Sequence, residues 1–248
     1  MKQKKETVSG CLVEVSICTR AAGRERPKIR AAKRKASSEA QAKMNAKYSW
    51  QKLERLLACN FAPQDLVITL TYDDKHLPET RQRAQDRLKR FRKDLKEARQ
   101  ARGAETVMAW NTENVSGNGR FHHHVVLNAT GAQDFAEILH CWPCGADVEI
   151  RRLQVDREKN YESLARYMCK ERPERNKNAW GCTRNCRRPE TESFPVPEDT
   201  EIEIPEDAIV LEDSSVKTEF GAWRYVKYLA TAPRPRIRRR TRRKRPAA

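Results

Sequence analysis

Short runs of β-branched residues alternate along the chain with longer segments whose apolar residues recur at helical spacing. In the segment 80–102 the apolar side chains recur at steps of four and three, which places them on one face of a helix. Helices are also predicted over 36–58, from Asp156 to about Glu171, and after a capping Thr130, where the helix carries Phe135, Ile138, Leu139 and Trp142. The β-branched runs predict strands over 66–72, 107–113, 121–127 and 148–155. We therefore expect an α+β domain with a central, mostly antiparallel β-sheet and helices packed mainly on one face.

Composition points to an acidic partner. The chain has 248 residues, with 51 Lys and Arg against 34 Asp and Glu, and a formal net charge of +17. A charge of this size favours a polyanion, most simply nucleic acid. No stretch approaches the roughly 18 apolar residues of a membrane-spanning helix, and the apolar run 11–18 is short and interrupted by Glu14. We expect neither a membrane protein nor an exported one, so the eight cysteines should be reduced thiols in the cytoplasm.

The charge is unevenly distributed. Residues 233–248 carry nine basic residues and no acid, which predicts a disordered basic tail. Residues 190–220 carry eleven acids and one Lys, with three prolines, and predict a loop or partly extended arm. The predicted organisation is a basic N-terminal segment, 1–35, a folded domain with its N-terminal helix, 36–189, an acidic linker or arm returning to that domain, 190–232, and the tail, 233–248.

The strand 121–127 carries three consecutive histidines. Alternate residues of a strand share a face, so His122 and His124 project together while His123 points the other way. Two imidazoles about 7 Å apart along one strand can converge on a single divalent cation, and Glu113, at the end of the preceding strand, could add a carboxylate. This mixed nitrogen and oxygen set suits Mg²⁺ or Mn²⁺. A histidine-rich strand exposed to solvent is the alternative.

The helix after Asp156 carries a second group of candidate residues. Tyr167 lies to one side of the apolar stripe, on the side of Lys170. A phenol is a poor nucleophile when protonated, and a nearby ammonium would favour the phenolate. An ordinary surface tyrosine is the alternative. The stripe that we expect to be buried consists of Tyr161, Leu164, Ala165 and Met168.

Taken together and in this order, these segments resemble the HUH (His–hydrophobic–His) endonucleases, in the branch of replication initiator (Rep) proteins that start rolling-circle replication of plasmids, phages and integrative elements. The resemblance covers roughly residues 45–190. The run 66–72, with its Thr-Leu-Thr, the histidine strand 121–127 and the Tyr-Met-Cys-Lys of 167–170 are similar to the three motifs of that family. Residues 180–189 are similar to a Trp-x-x-Ser-Arg-Asn-x-x-x-Pro stretch of some bacterial members. The middle residue of the histidine motif, usually apolar, is His123 here.

The resemblance implies a mechanism and partners. It implies that His122, His124 and Glu113 hold Mg²⁺ or Mn²⁺, and that Tyr167, with Lys170 as its partner, attacks the scissile phosphate of single-stranded origin DNA. The products would be a 5′-phosphotyrosine and a free 3′ hydroxyl, which a later step can rejoin. Host helicase and polymerase are the expected further partners, in the cytoplasm of a prokaryotic host and near its nucleoid. Basic residues expected to contact DNA are Arg120, Arg184, Arg187 and Arg188.

Two alternatives remain open from the sequence. Cys141-x2-Cys144 and Cys182-x3-Cys186 have spacings that zinc could bridge, which would suit a non-catalytic nucleic-acid-binding protein. A single-strand transposase would use the same HUH-type chemistry as a replication initiator.

Overall fold

The computed structural model describes residues 1–19, 39–114, 120–145, 147–156, 160–171, 178–219 and 221–233. The chain divides into two compact units, one spanning Lys28–Arg188 and the other combining Met1–Pro27 with Pro189–Ala248. The predicted basic tail lies outside the described residues from 234 onwards, as does the predicted turn at 115–119. No helix among the described residues is long and apolar enough to cross a membrane.

The elements of both units follow one another in chain order. They are β1 (Lys2–Ser9), β2 (Leu12–Thr19), α1 (Glu39–Asn60), β3 (Leu66–Leu70), α2 (Arg81–Ala101), β4 (Met108–Asn114), β5 (Phe121–Leu127), α3 (Asp134–Cys141), β6 (Val148–Arg152), α4 (Glu162–Met168), β7 (Gly181–Cys182), β8 (Glu190–Val196), β9 (Ile209–Thr218) and β10 (Gly221–Leu229).

The larger unit is built on a five-stranded antiparallel sheet in the order β6-β3-β5-β4-β7. The predicted α+β class and antiparallel sheet are confirmed. Helices cover both faces of this sheet, although we expected them mainly on one. The reason is that the central strands bury side chains on both sides: Ile68 and Val125 lie in a cluster with Leu88 and Phe91 of α2. Val126, on the opposite face of β5, lies in a second cluster formed largely by α1 and α4.

The third helix differs from its prediction in start and buried stripe. It begins at Asp134 rather than near Thr130, because the Asp134 carboxylate accepts hydrogen bonds from the Thr130 and Gly131 N–H groups. Asp134 is drawn inwards by Arg99, whose guanidinium is fully buried and donates to it at 2.7 Å. Phe135 and Leu139, expected in the apolar stripe, are therefore about half exposed.

The fourth helix is shorter than predicted but keeps its expected buried face. It spans Glu162–Met168, and Asp156, the expected start, instead accepts a hydrogen bond from the Ser163 N–H at 3.0 Å. Tyr161, Ala165 and Met168 are buried, as their spacing indicated.

The smaller unit is a second five-stranded antiparallel sheet, in the order β8-β1-β2-β10-β9. The residues before position 20 form a hairpin, β1–β2, with Gly10 at φ 63° in its turn. The acidic stretch 190–220, expected to be a loop or partly extended arm, supplies β8 and β9, because each finds a pairing partner distant in sequence or in the C-terminal hairpin. Pro195 is tolerated since β8 is an edge strand.

Candidate metal centre and nucleophile

Three side chains meet where β4 and β5 run side by side. The strand register pairs Glu113 with His122, and His124 lies on the same face of β5 two residues further on. Glu113 Oε2 lies 3.1 Å from His124 Nε2 and 3.4 Å from His122 Nε2. Among the residues that the structure describes, these three form the one cluster of His, Cys, Asp or Glu able to hold a metal ion, with ligand atoms within 4.8 Å of one another.

The spacing of these ligand atoms fits a small divalent cation. Ligands about 2.1 Å from a cation are about 3.0 Å apart at neighbouring octahedral positions and about 3.4 Å apart in a tetrahedron. The two measured separations from Glu113 Oε2, 3.1 and 3.4 Å, lie in this range. The second glutamate oxygen, Oε1, accepts a 2.6 Å ion pair from Lys170, so the two oxygens of Glu113 have different partners.

The local electrostatics keep the acid charged and the imidazoles neutral. Burial raises the pKa of Glu113, but the hydrogen bond and charge of Lys170, together with the two imidazoles, outweigh it and leave that pKa below its ordinary value. Burial lowers the pKa of His122, and burial together with the charge of His122 lowers the pKa of His124 to about 4. Neutral imidazoles and an ionised carboxylate are the forms that bind metals.

Helix α4 brings the predicted nucleophile to this cluster. The Tyr167 ring lies 4.9 Å from the His124 ring between centroids, and Lys170 Nζ lies 4.3 Å from the centre of the Tyr167 ring. Tyr167 is 44% exposed, so a substrate can reach it. The hydrogen bond from Lys170 to Glu113 raises the pKa of Lys170, which is therefore an ammonium at neutral pH.

Further contacts that the sequence analysis did not anticipate dock α4 on the sheet. The Asn111 amide donates to the Met168 carbonyl at 2.9 Å. Glu171 accepts a hydrogen bond from the Asn114 N–H at 2.8 Å and forms an ion pair with Arg81, and Arg81 also donates to the Thr112 carbonyl at 2.7 Å. The face shared by Asn111 and Glu113, two residues apart on a strand, is the one sequence signal that could have indicated this role.

His123 lies on the opposite face of β5 and takes no part in the cluster. It is fully buried, with Nε2 2.7 Å from the Tyr72 hydroxyl and Nδ1 3.0 Å from the Thr112 hydroxyl. Burial, with the charges of His122 and His124, lowers the pKa of His123 to about 3. Both ring nitrogens have partners, so this polar residue is accommodated in the core.

The arginines proposed to contact DNA lie at two places. Arg120 is exposed two residues before His122 and forms an ion pair with Asp74. Arg184, Arg187 and Arg188 are also exposed, but they follow β7, which pairs with β4 at Ala109 and Trp110. That end of β4 is about 13 Å from Glu113 at the usual rise of a strand, so the structure brings Arg120, and not the other three, close to the cluster.

The cysteine pairs do not form a common zinc site. Cys141 and Cys144 pack in the cluster with α2 and α3, whereas Cys182 and Cys186 pack in the cluster on the other face of the sheet. Burial raises the pKa of Cys141 to about 11, which disfavours the thiolate that zinc requires. The expected bridge between the two pairs is wrong, because the β-sheet separates them.

These features define an α+β domain whose sheet carries a His, Glu and His cluster beside an exposed tyrosine. Residues 65–172 match a family model of replication-associated proteins, the ORF2 type. The matched range includes β3, the three cluster residues, Tyr167 and Lys170, and it supports a replication initiator. No curated protein and no solved structure matches the chain.

Proposed function

We propose that this protein is a rolling-circle replication initiator that nicks single-stranded origin DNA by attack of Tyr167. The observation that carries the proposal is the position of one exposed phenol between a ligand and a cation. Its ring lies 4.9 Å from the His124 ring and 4.3 Å from Lys170 Nζ, and Lys170 in turn contacts Glu113 at 2.6 Å. The family match over 65–172 supports a role at a replication origin.

Mg²⁺ or Mn²⁺ held by Glu113, His122 and His124 would supply positive charge next to the scissile phosphate. The side chains of the chain itself do the rest. Glu113 holds the Lys170 ammonium beside the Tyr167 ring, and this positive charge stabilises the phenolate that must form before attack. The exposed ring leaves room for one phosphate of an unpaired strand.

The proposed reaction exchanges one phosphate ester for another. Tyr167 loses its phenolic proton to water, and its oxygen forms a bond to phosphorus. The bond from phosphorus to the 3′ oxygen breaks, and that oxygen leaves with the electron pair and takes up a proton. The 5′ phosphate stays attached to Tyr167. Since the number of phosphate ester bonds does not change, a later 3′ hydroxyl can reverse the step and rejoin the strand.

The substrate and partners follow from this chemistry. A phosphate must reach a compact cluster at the surface of a sheet, which favours single-stranded or locally melted DNA over a duplex. The net charge of +17 favours binding to the phosphate backbone, and Arg120 is the exposed cation nearest in sequence to His122. A free 3′ hydroxyl is a primer, so we propose that a host polymerase extends it while a host helicase opens the duplex.

Tyr167→Phe tests the proposal, because it removes the nucleophilic oxygen and keeps the ring. We expect the covalent protein–DNA adduct, measured with single-stranded DNA and Mn²⁺ under denaturing conditions, to fall by at least about 10⁴-fold, as when other enzymes lose a nucleophile. DNA affinity measured in EDTA should not change. Tyr48→Phe, in an exposed tyrosine of α1, is the control and should form the adduct normally. An adduct retained by Tyr167→Phe would refute the assignment.

A further inference from the structure

A cavity of about 340 Å³ lies between α2 and the outer edge of the larger sheet. Its α2 wall consists of side chains spaced at one face of the helix, and its other wall comes from β4 and from the residues that lead into β7. The side chains that matter here are Gln82, Gln85, Asp86, Arg92 and Trp110. No catalytic role assigned above uses this cavity.

A planar cation is fixed inside the cavity. The Arg92 guanidinium lies 3.6 Å from the centre of the Trp110 ring, and the Arg92 Nε is buried without a hydrogen-bond partner among the described residues. A Cβ added at Gly181 would lie 2.7 Å from the Trp110 ring, so glycine lets the indole pack against the chain here. Trp110 therefore holds the guanidinium flat, as a surface on which another planar group can stack.

The remaining lining groups resemble those that read the edges of bases. Gln82 and Gln85 carry amides that both donate and accept, and Asp86, which accepts a hydrogen bond from Gln82 at 3.1 Å, can accept from an exocyclic amino group. The volume is at the lower end for a binding pocket, which suits one small planar ligand. An acidic peptide would suit the site less, since Asp86 would repel it.

The cavity adjoins the proposed nicking site. Thr112 lines it and precedes Glu113, and Trp110 is about 10 Å from Glu113 at the usual rise of a strand. Because Thr112 and Glu113 face opposite sides of β4, a strand must pass around the outer edge of β4 to use both sites. Within the described residues, β7 pairs with that edge only at Ala109 and Trp110.

We propose that this cavity binds one unpaired nucleobase of the DNA strand near the scissile phosphate, stacked on Arg92 and read by Gln82, Gln85 and Asp86. The proposal rests on the proposed nicking function and deepens it, because it assigns part of the sequence specificity of the initiator to a pocket outside the metal cluster.

The first test uses randomised single-stranded DNA and Mn²⁺, followed by sequencing of the strands that become covalently attached. We expect the wild type to prefer one base at a position close to the cut. Gln85→Ala should reduce that preference about tenfold, the discrimination of one bidentate base contact, and leave other positions unchanged. Arg92→Lys, which keeps the charge but not the planar group, should also weaken it. Lys93→Ala, in an exposed residue of the same helix, is the matched control.

The outcomes separate the pocket from the nicking function. If the wild type forms adducts but all variants keep the same base preferences, the pocket proposal is overturned and the nicking function stands. If the wild type forms no adduct, the nicking function fails, and the pocket is tested by fluorescence anisotropy with single-stranded homopolymers of each base. Equal affinities of wild type and Gln85→Ala would then overturn it, as would stronger competition by polyglutamate than by DNA.

Discussion

Glu113→Gln tests the metal centre with the smallest change in shape. Glu113 is 2% exposed; its Oε2 faces both imidazoles and its Oε1 accepts the ion pair from Lys170. The substitution keeps the volume of the side chain and replaces a charged ligand by a neutral amide. It therefore removes the single negative charge of the cluster without opening a cavity.

The size of the effect can be bounded from these contacts. Loss of a residue that only supports a metal ligand typically costs about 10–100-fold in metal affinity, so loss of a charged ligand should cost at least about 100-fold, or about 2.8 kcal/mol. The fold should be much less affected. Lys170 is about half exposed, and breaking its ion pair should lower the free energy of unfolding by no more than about 1 kcal/mol.

The assay is formation of the covalent adduct as a function of Mn²⁺ concentration. We expect Glu113→Gln to shift the midpoint at least about 100-fold upwards, with partial recovery of the adduct at high Mn²⁺, and His124→Ala to shift it in the same direction. Glu149→Gln, in a half-exposed glutamate of β6, is the matched control. If Glu113→Gln and wild type share one midpoint, or both form the adduct in EDTA, the assignment of the metal ligands is wrong.

Two further substitutions test how the larger unit is held together. Glu171→Gln weakens the ion pair with Arg81 that helps to dock the end of α4; we expect single-turnover adduct formation to slow about tenfold while DNA affinity in EDTA stays the same, and an unchanged rate would show that this contact does not position Tyr167. Asp134→Ala leaves the fully buried Arg99 without its carboxylate, which should lower the free energy of unfolding in urea by about 3–5 kcal/mol. Arg90→Ala, in an exposed α2 residue, is its control, and equal urea midpoints for the two variants would contradict the role given to Asp134.

Local patterns predicted the elements of the larger unit well. The strand at 121–127 has the predicted bounds, and α2 starts one residue after its predicted cap, Thr80, whose hydroxyl accepts the Arg83 N–H at 3.3 Å. Both depend on signals contained within a single element, namely β-branched runs, helical periodicity and a capping residue. The same signals could not reveal that Asp134 would be pulled into the core by Arg99, 35 residues earlier.

The smaller unit was beyond local reasoning. Its strands β8 and β10 pair with β1 and β2, more than 180 residues away in the sequence, and acidic strands with a proline have no strong intrinsic preference for a sheet. One signal was present and unused: Val13, Val15 and Ile17 alternate along β2, and all three are buried in the core of this unit.

The candidate site was partly accessible from the sequence because two of its ligands share one strand. Period-two alternation places His122 and His124 together, and the order of the strands brings Glu113 opposite His122. The distance from Tyr167 to His124 could not be inferred in this way, since it depends on how α4 docks. That docking depends on contacts such as Asn111 with the Met168 carbonyl, which join residues 57 positions apart.

The middle histidine shows why a polar residue can replace an apolar one at this position of β5. A buried imidazole is costly only if its nitrogens lack partners, and His123 has Tyr72 on one nitrogen and Thr112 on the other. Because these partners lie on the α2 side of the sheet, they satisfy His123 without competing for Glu113 or for the two flanking imidazoles. Alternation along one strand thus separates a hydrogen-bonded core residue from the metal cluster, and substitution of His123 should affect folding before it affects metal binding.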